Sequence, residues 1–243
     1  MSKLYLDCPM GASGDMICGA LIGLTFDADK TLEELNSIGF NGVKLEYTKE
    51  NAQENIGHFS VLIDGEEENE HHHHHHGTDV QSIYNTIQAL TLSEKVRTEA
   101  TMVYGLILSA ESIAHDVPLD KVHLHEVGNT DAICDIVCAC YLMDKLGITD
   151  VWASKVNTGR GKVMTAHGEL DVPAPATKIL LEGIENYKGD IESELCTPTG
   201  AALIKYYKDN HADDIPFEIV KSSAGSGKKK FDVPNCLYAY LGE

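Results

Sequence analysis

A stretch without a single apolar side chain, GEEENEHHHHHHG from Gly65 to Gly77, interrupts the chain and sets the terms for its fold. Such a segment can bury nothing, so the core must come from the residues on either side, and the segment is expected as an exposed, disordered loop. The flanks suffice for that. Hydrophobic residues make up 43% of the 243 positions, an ordinary share for a globular fold.

On the N-terminal side, Lys3 to Asp7 predicts a strand and Gly11 to Gly14 a turn. Asp15 to Leu24 carries apolar residues at helical spacing, with Ser13 placed to cap it. A second helix is expected over Thr31 to Ile38, stopping at Gly39. Val43 to Lys49 and His58 to Asp64 alternate apolar and polar side chains, the pattern of half-buried strands. Beyond the interruption, helical periodicity returns over Asp79 to Leu90, Ser93 to Ala114 and Asp131 to Leu146. Strands are expected over Val151 to Asn157 and Lys162 to Asp171, then helices over Ala176 to Glu182 and Thr197 to Lys208. Phe217 to Val220 and Cys236 to Leu241 read as closing strands. No internal repeat is present. The expectation is one α+β domain over 1–243, a mixed β-sheet with packed helices, carrying the loop 65–77.

Charge narrows the partners. The 38 acidic against 19 basic residues leave a net charge of −19, a surface that repels phosphate backbones and anionic lipid, so neither nucleic acid nor a membrane is expected. No apolar run approaches the roughly 20 residues that span a bilayer, and Met1 to Asp15 lacks the pattern of a signal peptide. Seven cysteines, with Cys134, Cys138 and Cys140 crowded into one helix, do not form a secreted disulfide framework. They read as small buried hydrophobes of a cytoplasmic protein.

Several segments could carry chemistry. His71, His72, His73, His74, His75 and His76 offer imidazole nitrogens that suit nickel, copper and zinc. The tract lies inside the chain, whereas expression tags usually sit at a terminus, so a native metal-collecting loop is the preferred reading. In HLHEVGNTDAICD, His123 and His125 would project to one side if extended, with Glu126 beside them. Asp131 and Asp135, four apart, share a face of the next helix and could complete an open nitrogen–oxygen metal site. The plainer alternative has Asp131 capping the helix while Asp135 and the histidines satisfy buried hydrogen bonds.

Three segments suit a phosphate or carboxylate. Ser13, Gly14 and Asp15 open one helix, and Thr197, Thr199 and Gly200 open another, where backbone N–H groups point outward. Arg160, Lys162 and His167 add positive charge against an acidic background. Gly225-Ser226-Gly227-Lys228 has neither the glycine spacing nor the following Ser/Thr of a P-loop. No nucleophile elbow supports acyl transfer.

Taken together, LYLDCPMGASGDMICGAL (Leu4 to Leu21), the histidine tract, HLHEVGNTDAICDIV (His123 to Val137), GRGKVMTAHGELDVPAPAT (Gly159 to Thr177) and ELCTPTGAAL (Glu194 to Leu203) resemble the LarC-type nickel-insertion proteins. These mature the nickel-pincer cofactor of lactate racemase and related enzymes, and the resemblance runs along nearly the whole chain. It implies a lyase-class activity: nickel enters a pyridinium bis-thiocarboxylate mononucleotide, forming nickel–sulfur and nickel–carbon bonds at the expense of CTP. The small phosphorylated pyridinium substrate agrees with the anion-site candidates. The family commonly continues into a C-terminal region that would bind CTP with a divalent cation, and this chain ends at Glu243. It is therefore expected to be the N-terminal part, with that C-terminal counterpart as a partner. Two rivals remain: a non-enzymatic nickel store or metallochaperone, and a magnesium-dependent phosphohydrolase built on Asp7, Asp15, Asp131 and Asp135. The helical face Val96 to Ile113 could serve an interface in a homo-oligomer.

Overall fold

A computed structural model describes residues 2–51, 55–67, 79–122, 124, 126–165 and 168–243. The chain begins with β1 (Ser2–Asp7), α1 (Gly14–Leu24), α2 (Ala28–Asn36), β2 (Val43–Asn51), β3 (Ile56–Ile63) and the short β4 (Glu66–Glu67). Helices α3 (Val80–Ala89), α4 (Glu94–His115) and α5 (Thr130–Lys145) follow, and β5 (Ile148–Ala153) returns the chain to the sheet. A region of short pieces comes next: β6 (Val156–Asn157), β7 (Gly159–Arg160), β8 (Lys162–Thr165), β9 (Gly168–Asp171), α6 (Pro175–Leu180), β10 (Asn186–Tyr187) and β11 (Ser193–Glu194). The chain closes with α7 (Pro198–Tyr207), β12 (Asn210–His211), β13 (Ile219–Ser226) and β14 (Cys236–Gly242).

Among the described residues, eight strands join one mixed sheet in the order β12-β5-β1-β14-β13-β3-β2, with β4 also on β3. The β1–β5 and β3–β13 pairs are parallel, whereas β1–β14, β13–β14 and β2–β3 are antiparallel. This is the α+β architecture expected from the alternating and helical periodicities. Helix α1 packs on β13, β3 and β14, and α5 packs on α1. Nearly every residue of α5 from Ala132 to Met143 is buried, so this helix is largely apolar on all sides, as a central helix is, with Asp135 as the charged exception. Its cysteines behave as the sequence suggested: all seven cysteines of the chain are free and buried. Burial raises the Cys140 thiol to about 12, leaving it uncharged and inert near neutral pH.

Several boundaries moved for local reasons. Helix α2 starts at Ala28, not Thr31, because the Asp27 carboxylate accepts the Lys30 N–H and caps it there. The strand expected from Lys162 to Asp171 is the hairpin β8–β9, and the strand expected from Val151 to Asn157 is broken into β5 and β6. The strand expected at Phe217 to Val220 is instead β13, which runs on to Ser226. Ser223 and Gly225 are buried because α1 lies directly over them, and the Ser223 hydroxyl donates to the Ala20 carbonyl of that helix. Ala224, on the opposite face, packs with Ile56 and Cys236. Within the stretch expected as loop, Glu66 and Glu67 pair with Ile63 and Leu62 as β4. Residues 68–78, and with them His71 to His76, lie outside the described residues.

The outer strand β2 is a potential template for unwanted pairing. Asn36, at the end of α2, covers it. Its side chain accepts the Leu45 N–H and donates to the Leu45 carbonyl, each at 2.9 Å, so the edge is occupied at its centre.

Candidate functional site

Helices α1 and α5 meet at their N-terminal turns. Ser13 holds the N-cap position of α1 in an extended conformation (φ −135°), but its side chain makes no cap bond to the helix. The expected capping by the Ser13 hydroxyl is replaced by a short hydrogen bond that it donates to the Asp15 carboxylate. Asp15 Oδ1 in turn accepts the Met16 N–H at 2.8 Å. The Asp15 N–H donates to the Asp135 carboxylate. The first turn of α1 therefore already answers a pair of carboxylates. Helix α5 is capped by Asn129, which accepts the Ala132 N–H at 2.8 Å. Asp131 is thus released from capping and faces the same cluster.

A lysine stands among these acids. Lys228, just past the end of β13, lies with its Nζ 3.3 Å from Glu67 Oε1 and 3.5 Å from Asp131 Oδ1. Burial alone would pull its ammonium down, but Asp131, Asp15, Glu67 and Asp135 outweigh that and hold its pKa above the ordinary lysine value. Asp135 is only 5% exposed. Burial, then the charges of Asp131 and Asp15, push its carboxyl well above the usual range despite Lys228 and the Asp15 N–H. Its Oδ1 has no hydrogen-bond partner among the described residues, and neither has the buried Tyr104 hydroxyl. Burial raises that phenol first, and the charges of Cys134, Asp135 and Asp131 add to it. On the far side, His58 accompanies Glu67, with Nε2 3.7 Å from Oε1 and Nδ1 on the Ser226 carbonyl at 2.9 Å.

The start of α7 abuts the start of α1. The Thr197 N–H donates to the Ala12 carbonyl at 3.0 Å, and a Cβ on Gly200 would lie 2.2 Å from that oxygen and 2.8 Å from the Ser13 nitrogen. Only glycine permits this approach. Thr197 caps α7 as expected, accepting the Gly200 N–H at 3.3 Å, and its hydroxyl shares a 2.8 Å hydrogen bond with that of Thr199. Two hydroxyls, two helix starts and the acid–lysine cluster are thereby brought together.

Six expected site residues, Ser13, Gly14, Asp15, Thr197, Thr199 and Gly200, converge here, joined by Asp131 and Asp135. Arg160 and Lys162 engage acids of their own: Asp190 and Glu192 at 3.6 and 3.8 Å for Arg160, and Glu169 at 2.5 Å for Lys162. His123, His125 and His167 lie outside the described residues, as does the side chain of Glu126. Asp7 ends β1 opposite Tyr238, beside tyrosines and Cys8 rather than the other three aspartates of the phosphohydrolase reading. Among the described residues, no three or more His, Cys, Asp or Glu side chains are already arranged to hold a metal ion. Also among them, no helix is long and apolar enough to cross a membrane.

Sequence reasoning missed Lys228, Glu67 and Tyr104. A signal existed for the first, since Lys228 opens the chain's one run of three basic residues, Lys228 to Lys230. Glu67 was hidden in the low-complexity run, and Tyr104 in an apolar helical stripe.

Comparison with known proteins places these features in context. The family model for nickel insertion proteins matches residues 4–243. The chain is 40% identical over 244 residues to a relative from Dictyoglomus thermophilum, covering 100% of this chain and 61% of that protein. It is 37% identical over 236 residues to the pyridinium-3,5-bisthiocarboxylic acid mononucleotide nickel insertion protein of Staphylococcus saprophyticus, covering 97% of this chain and 59% of the relative. A protein of the same name from Clostridium kluyveri is 37% identical over 252 residues, covering 100% and 62%. The chain thus spans about three-fifths of the length of these relatives. No solved structure gives a significant match.

Proposed function

The chain belongs to the nickel insertion protein family, and on that premise we propose that it places nickel into a pyridinium-3,5-bisthiocarboxylic acid mononucleotide, the activity for which two of its relatives are named. Nickel is a substrate here, as is the nucleotide. The reading is carried by one observation: the starts of α1 and α7 abut beside a half-buried carboxylate–lysine cluster. A cation and an anion could therefore be held side by side.

Each part has a proposed task. His71 to His76 collect nickel on borderline nitrogen donors. His123, His125 and Glu126, which precede α5 in the sequence, pass it on, with Asp131 and Asp135 as supporting carboxylates. Thr197, Thr199 and Gly200, with Ser13, Gly14 and Asp15, receive the phosphorylated end of the substrate, because a helix start with free hydroxyls favours an anion. Arg160, Lys162 and His167, on the β7–β9 segment, supply counter-charge. Transfer runs from oxygen and nitrogen donors to the thiocarboxylate sulfurs of the substrate. CTP, bound together with a divalent cation, is consumed by the portion that the relatives possess beyond the matched region, and the overall reaction is of the lyase class. A cytoplasmic setting agrees with the free, buried cysteines.

The test is replacement of His123 and His125 by alanine. Nickel-loaded nucleotide should no longer form while far-ultraviolet circular dichroism and melting stay those of the wild type. Near-normal formation would remove both histidines from the pathway.

A further inference from the structure

We infer that Lys228 is a stand-in for a divalent cation: Asp15, Asp131 and Asp135 form an oxygen-donor site that the ammonium fills until a metal displaces it. The inference deepens the nickel-insertion reading, which it needs only for the identity of the natural metal.

Four observations lead there. Charge comes first. One ammonium faces the carboxylates of Asp131, Asp15 and Glu67, more negative charge than a lysine can neutralise even with Asp135 left out, and hard oxygen donors of this kind suit a divalent cation. The fit of the ammonium is the second. Its distances of 3.3 and 3.5 Å exceed the about 2.7–2.9 Å of a good charged hydrogen bond. Elsewhere in the chain, Lys95 approaches Asp144 to 2.7 Å. Lys228 is attracted to its site without being tightly bonded in it.

The third observation is the orphaned Oδ1 of Asp135, on a side chain 5% exposed. A buried carboxylate oxygen without a donor costs free energy that a metal or its bound water would recover. The fourth is the route. Lys228 keeps a third of its side chain exposed (36%), and Asp131 is 23% exposed, so the ammonium can swing outward and a cation can enter where it leaves. Among the described residues the carboxylates do not close on a common point, so a cation entering here must draw them in to metal–oxygen distances of about 2.0–2.6 Å.

A purely structural ion pair makes the opposite prediction. The decisive experiment uses the whole chain with His71 to His76 each replaced by serine, so that the tract contributes nothing. Nickel and manganese are titrated by calorimetry, and manganese also by electron paramagnetic resonance. Lys228→Met should tighten binding of one cation per chain by about tenfold or more, because it removes a competing positive charge. Adding Asp135→Asn should abolish that gain. If that double variant fails to fold, Asp131→Asn in the same background takes its place, at a position nearer the surface. Unchanged or weaker binding in Lys228→Met, or a gain that survives both aspartate replacements, overturns the inference. The two readings also fail separately. Cation binding here without nickel transfer to the nucleotide would refute insertion alone, and transfer indifferent to Asp131→Asn and Asp135→Asn would refute this site alone.

Discussion

A Cβ on Gly14 would lie 2.4 Å from Oδ2 of Asp135, so α1 and α5 cross at this point with no room for a side chain between them. The contact fixes where the Asp135 carboxylate points and lets the Asp15 N–H reach it. Gly14→Ala should therefore do more than overfill a core. It should cost about 1–3 kcal/mol, read as a fall in melting temperature of about 2–4 °C per kcal/mol for a chain of this size. Gly105→Ala is the control, since nothing lies within 4 Å of the added Cβ in α4. It should leave stability unchanged or raise it by up to about 1 kcal/mol.

The raised pKa of Asp135 gives a pH signature. An unfolded aspartate ionises near pH 3.9, to within about a unit, whereas folding holds this one neutral to higher pH, mainly by burial. Between those two values the folded chain binds the extra proton. Stability should fall as pH rises through that window and level off above it. Asp135→Asn removes the slope, so its stability relative to wild type should climb from about pH 4 upward. Urea midpoints taken from pH 4 to 8 without metal check this. A relative decline of the variant over that range would mean that Asp135 is held ionised.

Thr197 caps α7 at the place where that helix touches α1. Thr197→Ala should cost about 1 kcal/mol and weaken nucleotide binding, with Thr197→Ser restoring both. Isothermal titration with the mononucleotide, beside thermal melts, separates the two effects. Full affinity in the alanine variant would take the hydroxyl out of substrate binding.

Asn36 occupies the exposed edge of β2 through both backbone groups of Leu45. Asn36→Ala leaves that edge open, and the expected result is a loss of about 1–2 kcal/mol together with self-association at high concentration. Sedimentation velocity detects the second. A variant that sediments as the wild type does would show that α2 shields the edge without this side chain.

Much of the fold was legible because its signals are local. The period of α1 and α5, the Thr197–Pro198 start of α7 and the alternation of β2 and β3 each appear within a few residues. What escaped depended on neighbours distant in sequence. The second half of β13, past the expected strand at Phe217 to Val220, gives no strand signal until α1 is laid over Ser223 and Gly225. Asp131 looks like a cap until Asn129 is seen to fill that role. The candidate site followed the same division. The helix starts were visible as short motifs, but Lys228 and Glu67 join Asp131 only through the sheet, when the residues after β13 and the β4 pairing on β3 bring them together.

The central claim is nickel insertion, and the most direct measurement is the mass of the mononucleotide itself. The chain, together with the C-terminal part of a relative, is incubated with nickel, CTP with magnesium and pyridinium-3,5-bisthiocarboxylic acid mononucleotide, and the nucleotide is followed by chromatography and mass spectrometry. The account predicts a nickel-containing nucleotide that forms only when this chain is present and is lost with His123→Ala and His125→Ala. Unaltered nucleotide in the presence of a folded, nickel-loaded chain would contradict it.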